Sequence, residues 1–122
     1  MKPQRVYTGY LRDMIEYAEK AERFAQGVEF ADFQNDEKIM LAVVRALEVI
    51  GEAAKHIPKS VRDKYPDVPW KQIVGMRDKV IHDYFGVDVE VVWRTVKENL
   101  PPLRQAIAKI LQDLEQETTG ET

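Results

Sequence analysis

Within the twelve residues from Gly75 to Gly86 the chain carries Arg77, Asp78, Lys79, His82, Asp83 and Tyr84, and His82 is one of only two histidines. An unperturbed imidazole titrates close to neutral pH, so His82 can take a proton from a hydroxyl or return one to a leaving oxygen. Arg77 offers a rigid fork of donors matched to phosphate oxygens and can stabilise the added charge of a phosphoryl transition state. Asp78, four residues before His82, is placed to hold the imidazole tautomer and support its charged form. Tyr84 can position a substrate or stack on a base. These residue types suit RNA cleavage, in which the 2′-hydroxyl already present attacks the neighbouring phosphate. Such a step needs a proton shuttle and a cation but no metal. In the opposing structural reading, Arg77 pairs with Asp78 or with a bundle carboxylate, and His82 caps a helix.

The spacing poses a geometric problem. At about 100° per residue, Asp78 and His82 fall nearly on one line of a helix, and Arg77 and Tyr84 share another, whereas Arg77 and His82 stand about 140° apart. Two solutions are open. Either the helix frays before His82, or two copies of the chain meet and line one cleft jointly.

Other chemistries find less support. With no cysteine in 122 residues, thiol catalysis, disulfides and cysteine zinc sites are excluded. A di-iron bundle needs Glu-x-x-His pairs, and Glu52 to His56 has the wrong spacing. No Walker loop, dinucleotide glycine signature or zinc constellation is present. The single serine, Ser60, lies in a proline-bounded turn away from any partner. No metal and no cofactor is therefore expected.

The length suits one domain, residues 1–122, with the polar end after Gln116 expected to fray. No signal-peptide pattern and no apolar run of roughly 18 residues is present, so a cytoplasmic location without membrane contact is expected. The formal net charge of -3 argues against a surface that binds nucleic acid everywhere. From Lys59 to Lys79, however, six basic residues face three acidic ones, a local +3 that leaves -6 elsewhere. Lys71 and Lys79 of this basic patch are candidate RNA contacts beside the motif. A solvated charged face is the competing reading.

The elements that must position the motif read as helices throughout. Leu11, Met14, Ile15, Ala18, Ala21 and Ala25 recur at threes and fours from about Tyr7 to Gln26, with Gly27 as a stop. Residues 28–34 lack a period and read as a connection. Asn35 or Asp36 caps a second helix reaching His56, whose apolar residues spill beyond one stripe and so require cover on more than one side. Arg45, Glu48, Glu52 and Lys55 read as a paired ridge on it, and His56 as its C-terminal cap or a surface residue. After a short helical turn from Lys59 to Lys64, a third helix is predicted from Pro69-Trp70 through Arg77 to about Tyr84, ended by Gly86. The last starts after Asp88 and keeps its period across Pro101-Pro102, which predicts one long helix kinked there. The fold class is all-α, an up-and-down helical bundle of four to five helices.

Arg77-x4-His82-x-Tyr84 resembles the Arg-x(4–6)-His signature of HEPN domains, in the tyrosine-bearing form of HepT-like toxins. The likeness extends to Arg45-Ala-Leu47-Glu48-Val-Ile50-Gly51-Glu52-Ala53-Ala54, to Val68-Pro69-Trp70, and to Val92-Trp93 with Leu100-Pro101, covering roughly Tyr7 to Leu114. The resemblance implies a HEPN-like bundle that forms a homodimer with two signatures at a shared cleft. It implies a metal-independent endoribonuclease acting as the toxin of a toxin–antitoxin system, with a minimal nucleotidyltransferase as antitoxin. Carried over by position, Arg77 and His82 match the catalytic pair, Asp78 the supporting polar position, and Tyr84 the tyrosine that some antitoxins modify with AMP. The alternative within the same resemblance is a non-catalytic module that binds nucleotide or docks a nucleotidyltransferase. Neither the RNA cut nor the stoichiometry with an antitoxin follows from these residues.

Overall fold

The computed structural model describes residues 3–76 and 88–120, with side chains from 7 to 76 and from 88 to 117. Among these residues every regular element is helical. Helix α1 spans Pro3–Phe24, α2 Phe30–Asn35, α3 Glu37–Lys55, α4 Lys59–Lys64 and α5 Trp70–Val74. Helix α6 spans Val89–Arg94, followed without a break by a π-helical turn, Thr95–Asn99, and by α7, Leu100–Gly120. The all-α bundle expected from the periodicity is present.

Helix α1 buries Leu11, Met14, Ala18 and Ala21, and the turn just after it buries Ala25, completely or nearly so. Their spacing of three and four puts them on one stripe, and the three alanines let neighbouring backbones come close. That stripe packs on α3 and α7. The chain leaves α1 through Gly27, whose φ of 72° is the left-handed conformation that glycine adopts without a Cβ penalty.

Helix α3 starts where the Asp36 carboxylate accepts the Ile39 amide at 3.1 Å, satisfying one of the orphan donors of the first turn. It packs against α1, α2, α5 and α6. The expected cover on several sides is therefore real, and Val44, outside the main stripe, is buried along with Val43, Leu47 and Ile50. Arg45–Glu48 and Lys55–Glu52 form the expected pairs, at 3.9 and 3.4 Å, all exposed but the half-buried Glu48. In water such pairs contribute at most about 1 kcal/mol. His56 is the C-cap, its ring stacked on Tyr10 with centroids 4.3 Å apart.

Three expectations need correction. Residues 28–34 are not an irregular connection: most of them belong to α2, which buries Phe33 against Trp93. Aromatic burial decides that segment, and one short turn is too brief to display a period. The helix expected from Trp70 to Tyr84 is interrupted: α5 ends at Val74 with Gly75 as its C-cap, Met76 is helical again, and residues 77–84 lie outside the described residues. A Cβ at Gly75 would stand 3.3 Å from the Lys71 carbonyl oxygen, so the turn is tight and suits glycine. Helix α7 continues to Gly120, past the end expected near Gln116.

The final rod is continuous across Pro101-Pro102, as the period required. Its irregularity is the π turn immediately before the prolines. Proline lacks an amide hydrogen and its ring crowds the carbonyl four residues back. Widening the preceding turn relieves this: the Leu100 amide donates to the Thr95 carbonyl, five residues away. The Thr95 hydroxyl donates in turn to the Val91 carbonyl at 2.7 Å. No helix among the described residues is long and apolar enough to cross a membrane.

Candidate functional site

Arg77, Asp78, Lys79, His82 and Tyr84 lie outside the described residues, as does Gly86. What the structure defines is the scaffold that holds both ends of their segment. On the upstream side Trp70 is 8% exposed, and its indole nitrogen donates to the Tyr65 carbonyl at 3.0 Å. Ile73 and Met76 are buried on the same side. Met76, the residue preceding Arg77 in the chain, is therefore anchored in the core. On the downstream side the Asp88 carboxylate accepts the Val91 amide at 3.1 Å and caps α6. Val92 is fully buried behind that cap. Trp93 meets Phe33 and Phe30, with ring centroids 5.1 and 5.8 Å away.

Of the basic patch, Lys71 is exposed on α5, available to a ligand in solvent. Lys59 is engaged with Asp63 at 2.9 Å. The Nε atom of Arg62 is buried with no hydrogen-bond partner among the described residues. The local positive charge is thus partly neutralised at its N-terminal end and freer near α5.

Tyr65 ties the loop before α5 to α7, donating its hydroxyl to Asp113 at 2.9 Å. Burial, this hydrogen bond and the negative charge of Asp113 push the phenol up to about 12 from an ordinary value of 10.0. The raised folded-state value makes the contribution of Tyr65 whole below pH 10.0 and lost as pH climbs through about 12. Tyr65→Phe is expected to cost about 1 kcal/mol at neutral pH. It should also remove part of the alkaline loss of stability, which urea melts at a series of pH values above neutrality would show. An unchanged alkaline slope would contradict this assignment.

Beside the upstream anchor lies a cavity of about 390 Å³ between α5, the π turn and the start of α7. Its walls include Val68, Ile73, Met76 and Leu103, and Asp67, Gln72, Thr95 and Asn99 bring polar groups to it. The sequence reading missed these four. Thr95 and Asn99, four apart and about one and two turns beyond Val91, form a polar line on that helix. A polar pair just ahead of two prolines was the available signal. Other cavities among the described residues are ionic in character. One between α1 and the π turn holds Glu22 and Arg104, which bond each other at 2.7 Å. Another, between α1 and α3, is lined by Asp13, Arg45, Glu48 and Glu52.

Comparison with known proteins supplies the identity of this scaffold. A candidate RNase of Methanocaldococcus jannaschii is 47% identical over 113 residues, covering 93% of each chain. A candidate ribonuclease HepT of Thermococcus cleftensis is 47% identical over 107 residues, covering 88% of this chain and 97% of its own. A candidate RNase of Caldanaerobacter subterraneus is 44% identical over 103 residues, covering 84% of this chain and 92% of its own. No solved structure gives a significant match. The family described as ribonuclease HepT-like matches residues 14–110, a span that takes in the bundle core, the anchors at Trp70 and Asp88 and the signature between them, and the chain belongs to that family.

Proposed function

We propose that this protein is a metal-independent endoribonuclease, the toxin of a toxin–antitoxin pair, and that Arg77 and His82 carry its chemistry. The observation that supports this most is a ribonuclease-family match over residues 14–110 that contains Arg77-x4-His82-x-Tyr84 intact. His82 withdraws the proton of a ribose 2′-hydroxyl, and the 2′-oxygen attacks the adjacent phosphorus. The bond from phosphorus to the 5′-oxygen breaks, and that oxygen leaves with a proton from a second imidazole. The products are a 2′,3′-cyclic phosphate and a 5′-hydroxyl, so atoms and charge balance without a metal. Arg77 neutralises the extra charge on the phosphoryl oxygens in the transition state, and Asp78 orients His82. Lys71 and Lys79 attract the RNA backbone.

A homodimer supplies the second imidazole and removes the angular conflict between Arg77 and His82, because each cleft draws on two copies of the segment. The antitoxin in this account is a minimal nucleotidyltransferase that modifies Tyr84 with AMP. Phosphate added there competes for Arg77, the cation the RNA needs.

The deciding assay uses purified protein and single-stranded RNA in excess EDTA. Cleavage should persist at the same rate as in magnesium. A strict requirement for added magnesium would remove the mechanism. For the regulatory half, Tyr84→Phe should abolish the mass increase of one AMP or more on incubation with the antitoxin and ATP. An unchanged adduct would place the modification elsewhere.

A further inference from the structure

The cavity of about 390 Å³ beside Met76 is small on the scale of ligand pockets, roughly 300–1,000 Å³. That is room for a single ring system with its sugar. Its chemistry is selective about what can enter. No lysine or arginine is among its described lining residues, and the one charged group is the Asp67 carboxylate. Among the described lining residues an anion would meet repulsion with no compensating cation. A purely apolar occupant would strand the side-chain amides of Gln72 and Asn99. None of the hydrogen bonds among the described residues engages Asp67, Gln72 or Asn99 through its side chain. All three are exposed, whereas Thr95, also in the lining, is 7% exposed and its hydroxyl donates to the Val91 carbonyl.

The complementary ligand is flat and uncharged, with apolar faces and a hydrogen-bonding edge, which describes a nucleobase. Met76, buried and in the wall of the cavity, is a soft, polarisable thioether suited to an aromatic face. An Asn or Gln amide can donate and accept in the plane of a base, and a carboxylate accepts from an exocyclic amino group. Single-stranded RNA is read in this way, by bases turned out of the stack and bonded along their edges.

The geometry points to a base-reading pocket in which Asn99, Gln72 and Asp67 recognise one nucleobase of the RNA and favour a base bearing an exocyclic amino group over uracil. This inference rests on the ribonuclease reading above and adds a specificity determinant to it. Met76 connects the two, because the residue that walls the pocket directly precedes Arg77 in the chain. A base seated here is registered one residue from the arginine assigned to the phosphate.

Two measurements test it. The first is cleavage of a single-stranded RNA pool randomised around the cut by the wild type, Asn99→Ala, Gln72→Ala and Asp67→Asn. All three positions are exposed, and circular dichroism confirms folding of each variant. The wild type should prefer an amino-bearing base at one fixed position. Each variant should lose about tenfold of that preference. The second is the NMR shift of the Gln72 and Asn99 side-chain amides on titration with adenosine, cytidine, uridine and ribose 5-phosphate. Adenosine and cytidine should move them, uridine less, and the base-free sugar phosphate not at all.

Uniform slowing on every RNA, or amides that no nucleoside moves, overturns the pocket. So does a preference left intact in Ala106→Trp, a cavity-filling change, if that change instead alters the oligomeric state. The cavity would then be a contact between copies of the chain. Should no RNA be cut under any condition while adenosine still shifts the amides, the ribonuclease reading fails and the base pocket stands. If cleavage depends on His82 and the amides stay silent, the pocket alone fails.

Discussion

His82→Ala is expected to lower RNA cleavage by about 10²- to 10⁴-fold, the range a positioned proton-transfer group contributes. The melting temperature and RNA affinity should stay near those of the wild type. Each 1.36 kcal/mol of lost transition-state stabilisation is a factor of ten, so the loss is about 3–5 kcal/mol and readily measured. Arg77→Ala should lose both rate and affinity if, as proposed, its charge meets the phosphate before and during reaction. The two variants therefore separate in a plot of kcat against KM. A binding module without catalysis predicts the opposite for His82→Ala, with partner affinity unchanged and no activity to lose in the wild type. Full cleavage by His82→Ala would place the proton transfer on another group.

Phe33→Ala should destabilise the fold by about 3–5 kcal/mol, the cost of emptying a buried aromatic site. Phe33 has 0% exposure and its ring lies 5.1 Å from that of Trp93. That contact joins α2 to the helix that begins just beyond the signature segment. Much of the stability of a small domain, about 5–15 kcal/mol, depends on this one ring. A denaturant melt that shifts by less than 1 kcal/mol would show that the cluster repacks around the gap. By contrast, Leu41 is 57% exposed on α3, and its removal should have little effect on the isolated chain.

The long elements were legible because their apolar residues repeat over several turns. Leu11 to Ala25 and Val92 to Leu114 each keep one face buried, and Asp36 and Asp88 announced helix starts that the structure bears out. Helix α2 was not legible, because six residues make fewer than two turns and only a tertiary partner, Trp93, explains why Phe33 is inside. The break at Gly75 was hidden for a related reason. Trp70, Ile73 and Val74 fit a helical face that would run onward, and the turn shows only in the close approach of Gly75 to the Lys71 carbonyl. The π turn could not be read either: proline signals that a helix must adjust, but the bond from Leu100 to Thr95 is a choice made by packing.

As for the site, residue types and spacing singled out Arg77, His82 and Tyr84, and the family match covers all three. The cavity residues escaped notice because Gln72 and Asn99 are 27 positions apart in sequence and share no motif. Only the fold brings α5 against the π turn and turns two ordinary surface amides into neighbours of one pocket.

The central claim is that a guanidinium and an imidazole cut RNA through the substrate's own 2′-hydroxyl. Its most direct test is the chemistry of the cut ends, read by mass spectrometry after incubation in EDTA. The account predicts a 2′,3′-cyclic phosphate on one fragment and a 5′-hydroxyl on the other. A 3′-hydroxyl paired with a 5′-phosphate would mean that water, not the ribose, attacked the phosphorus, and would contradict it.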